Sequence, residues 1–402
     1  MRPPSGELGA SARPGTLPAV DKGVATHLLP TGIQRWPEIH PTTQAAFNQV
    51  LWHGGLPRTE IARKLGLSRT RLTAITRDLE AAGLLVEGGR EQRSTTGRPA
   101  EMLHAVTTAY QFLGLHLHGS SVIAALVDLD GRVVWEDRAT LDTESPDELV
   151  DVAGEMLRKA SATFRVAAVA ICGPLARVGL DTASARIRAV DRGHQDRFER
   201  EWSVPLWVDD DVIALTAFEQ WPQLADGQDS MVLISVGEEI GFGIVTDRRI
   251  MRGARNAAGR FDHIPVLADG PRCPLGHDGC LWSVCSTTAV HGAVPDAGSL
   301  TEIAARAEAG DELAAVVLER AAAGLGTAAG HLVNLLDPDK LVLTGESHTV
   351  LRGRIETFRS ALRATHLGGL EVEVDMPEFD FVEWARAAAA LALYRCLSAD
   401  PF

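Results

Sequence analysis

Residues 58–83 read RTEIARKLGLSRTRLTAITRDLEAAG, a short amphipathic segment, a Gly-Leu-Ser turn and a longer amphipathic segment. Few folds accept that pattern. Ile61, Ala62 and Leu65 supply the apolar side of a helix over Arg58–Leu65, and Gly66 gives a tight turn. Ser68 is a good N-cap for a helix running to about Ala82, in which Leu72, Ile75 and Leu79 fall at i, i+3 and i+7. Gly83 is its stop. An upstream helix starts at Thr42, with Ala45, Phe47 (or Ala46), Val50 and Leu51 on its apolar face, and ends at Gly54-Gly55. Residues 84–87 read as a strand, 88–97 as a polar hairpin tip, and Met102-Leu103 as the return. This order is that of a winged helix-turn-helix, placed at residues 40–104.

Charge supports the assignment. The chain as a whole carries a formal charge of −14, which excludes a molecule that wraps nucleic acid with its entire surface. Between residues 53 and 98, however, nine bases (Arg58, Arg63, Lys64, Arg69, Arg71, Arg77, Arg90, Arg93, Arg98) outnumber five acids. A basic island in an acidic chain is the electrostatic footprint of a DNA module. Ser68, Arg69, Thr70, Arg71, Thr73, Thr76 and Arg77 face outward on the third helix or at its start. Arg pairs bidentately with guanine, and Thr reaches a base edge or the thymine methyl. Arg58, Lys64 and Arg77 suit phosphate contacts that set register. Arg98, held between Gly97 and Pro99, is slim and extended enough for a narrow minor groove. A three-helix interaction module with a solvated basic face is the alternative.

At 402 residues the chain is long for one core. Residues 1–39 are rich in Pro, Gly, Ala and Ser without periodicity and read as a disordered tail. Residues 110–402 alternate strands and helices in two loosely similar βββαβα halves, giving an α/β class. No apolar run approaches the roughly 20 residues of a membrane span, and residues 1–23 lack a signal-peptide core, so a cytoplasmic protein is expected. Five cysteines are too few and too uneven for a disulfide framework. Three of them (Cys273, Cys280, Cys285) lie close together, which favours metal binding in a reducing compartment.

The segment EIARKLGLSRTRLTAITRDLEAAGLLVEGG…TTGRPAEML, over residues 60–103, resembles the N-terminal domain of ROK-family transcriptional regulators (repressors, open reading frames and kinases). The remainder, through residues 114–131, 208–219, 236–245, 252–266, 273–280 and 340–345, resembles the family's sugar-kinase fold. The resemblance implies two actin-like lobes with a sugar cleft, a structural zinc, and homodimers or tetramers on double-stranded operator inverted repeats. It also exposes departures. Family kinases carry Asp-x-Gly-x-Thr in the first hairpin, where this chain has His116, His118 and Ser120. The phosphate loop Gly-Thr-Gly-x-Gly is Gly237-Glu238-Glu239-Ile240-Gly241, and the adenosine-side Gly-Gly is Thr344-Gly345 followed by Glu346. An imidazole cannot replace a carboxylate on Mg²⁺, and added carboxylates repel phosphate, so no use of ATP and no enzyme activity are expected.

By the same resemblance, the sugar-facing positions are Asp210, Asp211 (at the catalytic-base position, read as vestigial), Gly259, Arg260, His263 and Trp282. Arg260 and Trp282 stand where the family has sugar-binding Glu residues. The exchange favours an anionic sugar derivative such as a sugar phosphate, if the cleft takes an effector. The family's zinc ligands map to His263, Cys273 and Cys280, while Leu275 stands in place of the middle cysteine. Cys285 or His277 is left as the fourth ligand. The expected function is a repressor of a carbohydrate-related operon. The alternatives are a ligand-independent DNA-binding protein that uses its kinase-like domain for oligomerisation, and an active sugar kinase.

Overall fold

The computed structural model describes residues 31–91, 100–174, 182–226, 228–254, 258–367 and 372–398. A two-residue strand, β1 (Gly32–Ile33), precedes α1 (Pro41–Trp52), β2 (Leu56–Pro57), α2 (Arg58–Leu65), α3 (Arg69–Ala81), β3 (Leu85–Glu91) and β4 (Ala100–Ala105). Gly66 takes a left-handed φ of 64°, which lets the chain leave α2 and enter α3 within three residues. Ser68 caps α3 by accepting from the Arg71 N–H at 3.3 Å. Phe47, Val50, Ile61, Leu72, Leu79, Leu84 and Leu103 are buried together, and the wing sheet runs β2-β4-β3.

Residues 31–39, the last part of the expected tail, are held against the first sheet and its core. Gly32 and Ile33 pair in parallel with Arg165 and Val166. Gln34 accepts from Arg165 Nε at 2.6 Å. Trp36 is 7% exposed, edge-on to Tyr110 and tilted against Phe47 and Phe112. Composition hides this anchor because Trp36, with Ile33 and Ile39 at its flanks, is spaced without helical or strand period among polar residues.

From Gln111 the first lobe comprises β5 (Gln111–His118), β6 (Ser121–Asp128), β7 (Val133–Thr140), α4 (Pro146–Ser161), β8 (Arg165–Gly173), α5 (Thr182–Ala189), α6 (Arg192–Trp202) and β9 (Leu206–Asp210). Its sheet runs β1-β8-β5-β6-β7, with β9 also on β8. After α7 (Asp211–Asp226) the second lobe adds β10 (Met231–Val236), β11 (Ile240–Thr246), β12 (Arg249–Ile250), α8 (Leu281–Cys285), α9 (Thr287–Ala293), α10 (Leu300–Glu308), α11 (Glu312–Leu336), β13 (Lys340–Thr344), α12 (Ile355–Thr365) and β14 (Glu373–Asp375). Its sheet runs β12-β11-β10-β13-β14. In each lobe an antiparallel pair is followed by a strand parallel to its first member, β8 on β5 and β13 on β10.

The closing helix, α13 (Val382–Leu397), returns to the first sheet. Its buried alanines allow a close approach: a Cβ on Gly114 of β5 would stand 2.0 Å from the Ala389 nitrogen. One apolar cluster joins Cys172 of the first sheet, Met231 and Leu233 of the second, and residues of α7 and α13, so these two helices lie at the junction of the lobes. Helix α11, long and apolar enough by composition to cross a membrane, is mostly buried and forms the second lobe's core. Periodicity did not reveal α6, whose buried set is Phe198 alone among charged residues.

Candidate functional site

Helix α3 presents Arg69, Thr70, Arg71, Thr73 and Arg77 as exposed side chains, with Ser68 exposed at its cap. Thr76 does not join them: it is 1% exposed and accepts from Arg58 Nε at 3.1 Å. Arg58, expected at a phosphate, is engaged within its own chain. Its guanidinium also donates to Glu80 at 2.7 Å and pairs with Glu87, tying α2 to α3 and β3. Local spacing cannot reveal this, because the partners come from other elements. Lys64 is exposed, its Nζ 3.2 Å from His53 Nε2. Arg98 lies outside the described residues.

Between the lobes lies a cavity of about 690 Å³. It brings together all six sugar-facing candidates: Asp210, Asp211, Gly259, Arg260, His263 and Trp282. Asp210 accepts from the Val212 N–H at 3.0 Å and so starts α7, fixing Asp211 in the wall at 8% exposure. Gly259 has a φ of +85°, and a Cβ there would stand 2.1 Å from the Phe242 carbonyl oxygen. Arg260 is exposed. Trp282 lies nearly parallel to His263 at 6.4 Å.

Sequence reasoning missed the hub of this wall. Asp209 accepts from Arg252 at 3.0 and 2.7 Å and from Arg395 at 2.7 Å, partners 43 and 186 residues away that no periodic signal connects. Burial pulls the Arg395 guanidinium below its ordinary value, against the opposing attraction of Asp209. Among the described residues the lining has six carboxylates (Asp209, Asp210, Asp211, Asp262, Glu239, Glu346) and three guanidiniums, two of which share Asp209.

Two places near the cavity depart furthest from nucleotide chemistry: the end of β5 and the β10–β11 turn. His116 is buried, stacked on Trp384 at 5.1 Å and 12°, with Nε2 3.6 Å from Asp211 Oδ2. His118 sits edge-on to Phe381 at 5.2 Å. In the β10–β11 turn, Glu346 Oε1 accepts from the Glu238 N–H at 3.2 Å. A Cβ on Gly237 would stand 2.0 Å from that same oxygen. The glycine turn therefore cradles a carboxylate of its own chain.

A second cluster adjoins the cavity through His263, Pro274 and Leu275. Ligand atoms of His263, Cys273, His277 and Cys280 all lie within 4.8 Å of one another. Cys273 Sγ is 3.5 Å from His277 Nδ1, and Cys280 Sγ is 3.5 Å from His263 Nδ1. Neighbouring ligands of a tetrahedral zinc with these donors stand about 3.5 Å apart, so the set fits that ion. Asp262 Oδ2 lies 3.3 Å from His263 Nε2, as a carboxylate orienting a ligating imidazole does. His277 thus joins the three expected donors in this cluster. Cys285 does not: its Sγ–H donates to the Ala321 carbonyl at 3.2 Å, and burial pushes its thiol far up.

Comparison with known proteins agrees with this geometry. Residues 112–377 match the ROK family and residues 41–86 a winged helix-turn-helix DNA-binding family. The chain is 27% identical over 331 residues to the DNA-binding transcriptional dual regulator NagC of Escherichia coli K12, covering 75% of this chain and 79% of that protein. A glucokinase from Halalkalibacterium halodurans is 32% identical over 170 residues, 38% of this chain and 52% of the enzyme. Among solved structures, a ROK-family transcriptional regulator described as a homologue of the E. coli MLC protein superimposes with a TM-score of 0.71 at 23% identity, covering 89% and 97% of the two chains. A ROK-family glucokinase from Streptomyces griseus, in complex with glucose and AMPPNP, gives 0.55 at 23% identity over 70% of this chain and 99% of the enzyme. A winged helix-turn-helix ahead of two kinase-like lobes, matched along both parts, places this chain in the ROK family, whose members here include both regulators and kinases.

Proposed function

We propose that the protein is a transcriptional repressor that binds an operator inverted repeat through α3 and takes a sugar effector in the cavity between its lobes. The observation that carries the reading is the exposed Arg69–Arg71–Arg77 face on α3, joined to a cavity lined by hydroxyl-accepting carboxylates. A homodimer or tetramer supplies the paired helices that a repeat requires. The lining favours a neutral polyol over an anion, since carboxylates outnumber guanidiniums and only Arg260 is uncommitted to Asp209. That balance opposes the preference for a sugar phosphate drawn from Arg260 alone.

Phosphoryl transfer is not part of this reading. Asp211 keeps a base position, but its neighbour is His116, and Glu346 occupies the glycine turn that a phosphate would need. His263, Cys273, His277 and Cys280 would hold a zinc ion, whose contribution is structural: it fixes the loop that carries Leu275 into the cavity wall.

The test is footprinting on the protein's own promoter, with release measured against glucose, N-acetylglucosamine, their 6-phosphates and free buffer. A protected inverted repeat, released by a neutral sugar, is the expected result. Protection that no sugar alters, together with an unshifted melting temperature, would leave the cavity without an effector and favour a purely architectural kinase-like domain.

A further inference from the structure

The polar hub of the cavity and the anchorage of the DNA-binding domain lie within one turn of α13. Arg395 lines the cavity and donates to Asp209 at 2.7 Å. Two residues later the carbonyl of Leu397, at the end of the helix, accepts from Asn48 Nδ2 of α1 at 2.9 Å. Asn48 is itself held by Gln44, whose Nε2 donates to Asn48 Oδ1 at 2.8 Å in a buried setting. One residue before Arg395, Tyr394 meets Trp221 edge-on at 6.5 Å, and Trp221 meets Trp52 of α1 at 6.0 Å. Trp221 sits on α7, which begins at Asp211 in the cavity wall, about 15 Å along the helix. Two helices therefore run from the cavity to the same face of α1, and α1 packs against the recognition helix.

We infer that Arg395 is a positioning residue for DNA binding: its hold on Asp209 fixes the last turn of α13, and through Leu397 and Asn48 that turn sets the placement of α1 and hence of α3. A ligand hydroxyl that engages Asp209 competes with Arg395 for the carboxylate and loosens the turn. The inference rests on the reading that the cavity controls operator binding, but its mechanical part needs no ligand. Arg252 keeps its two bonds to Asp209 when Arg395 leaves, so the carboxylate is not stranded. The loss is then felt at the helix end rather than as collapse of the wall.

The experiment is a double-mutant cycle on the affinity of the full-length protein for a fragment of its own promoter, using Arg395→Met, Asn48→Leu and the double variant. Each single change is expected to weaken binding about tenfold, and the double variant to be no weaker than the worse single by more than about twofold. Arg395→Lys, which keeps a cation at Asp209, should recover most of the loss. Lys64→Ala combined with Arg395→Met should instead multiply the two losses, because Lys64 touches none of Arg395, Leu397 and Asn48. Multiplicative losses of about 100-fold in the Asn48–Arg395 pair, or unchanged affinity in either single variant, overturn the relay. Where Arg395→Met does not fold, by thermal melting, Asp209→Asn takes its place in the cycle with the same expectation. Effector control is decided separately by the sugar panel, so additivity here and silence there are distinct failures.

Discussion

At Arg58 a basic residue in a DNA-binding domain is committed inward, and at Arg71 one of the same type stands exposed on α3. The difference is invisible to composition and follows from where Glu80, Glu87 and Thr76 fall in space. Arg71→Ala should relax specificity at one base position, costing about 1–3 kcal/mol on the preferred sequence and less elsewhere, whereas Lys64→Ala should weaken all sequences alike and lower the salt slope by about one. Binding titrations on shuffled operators at two salt concentrations separate the two. Arg58→Ala should act differently again, lowering the melting temperature rather than reshaping specificity.

Asp128 makes a prediction of pH dependence. Burial raises its carboxyl to about 6, although the N–H groups of Asp130 and Arg132 donate to Oδ1 and pull the other way. Its folded value lies above the unfolded one, so the folded state takes up a proton first as pH falls. The favourable contribution of this group is complete below about 4 and is lost as pH rises through about 6. Asp128→Asn keeps an acceptor for both N–H groups and removes the buried charge. It should stabilise the protein by about 1–3 kcal/mol at pH 7.5 and by almost nothing at pH 4, read from denaturant midpoints.

Among elements, those with a clear apolar period or an unbroken apolar run were legible in the sequence: α2, α3 and α4 by the first, β8 and α13 by the second. Those whose logic is tertiary were not. Helix α6 has one buried anchor, and β1 is two residues long and exists because the edge of β8 is there to pair with. The cavity residues were legible through family resemblance, while Asp209, Arg252 and Arg395 converge from three distant segments and carry no local mark. Close approach of α13 to β5 predicts that Gly114→Ala will cost about 1–3 kcal/mol or more, since the clash is with backbone rather than with a flexible side chain. Urea unfolding checks it. For the loop between β12 and α8, elemental analysis of metal-free-buffer preparations should find about one zinc per chain, lost in His277→Ala and kept in Cys285→Ser. Equal retention in both variants would show that His277 is not a ligand.

Across the whole molecule the two domains share one apolar cluster, in which Trp36, Phe47, Val50 and Leu51 meet Tyr110, Phe112, Leu393 and Leu397. Residues 40–104 expressed alone would bare much of that surface, at about 1.5–3 kcal/mol for each large side chain, and should lack a cooperative melt by circular dichroism. Trp36 adds a consequence for evolution and for engineering. A head that is grafted, rather than hinged, cannot be exchanged at a linker. A chimaera with new operator specificity would have to carry the Trp36 pin, the α1 face around Asn48 and the end of α13 as one inherited block. Specificity in such a lineage should then drift by substitution on α3 far more readily than by shuffling whole heads between bodies.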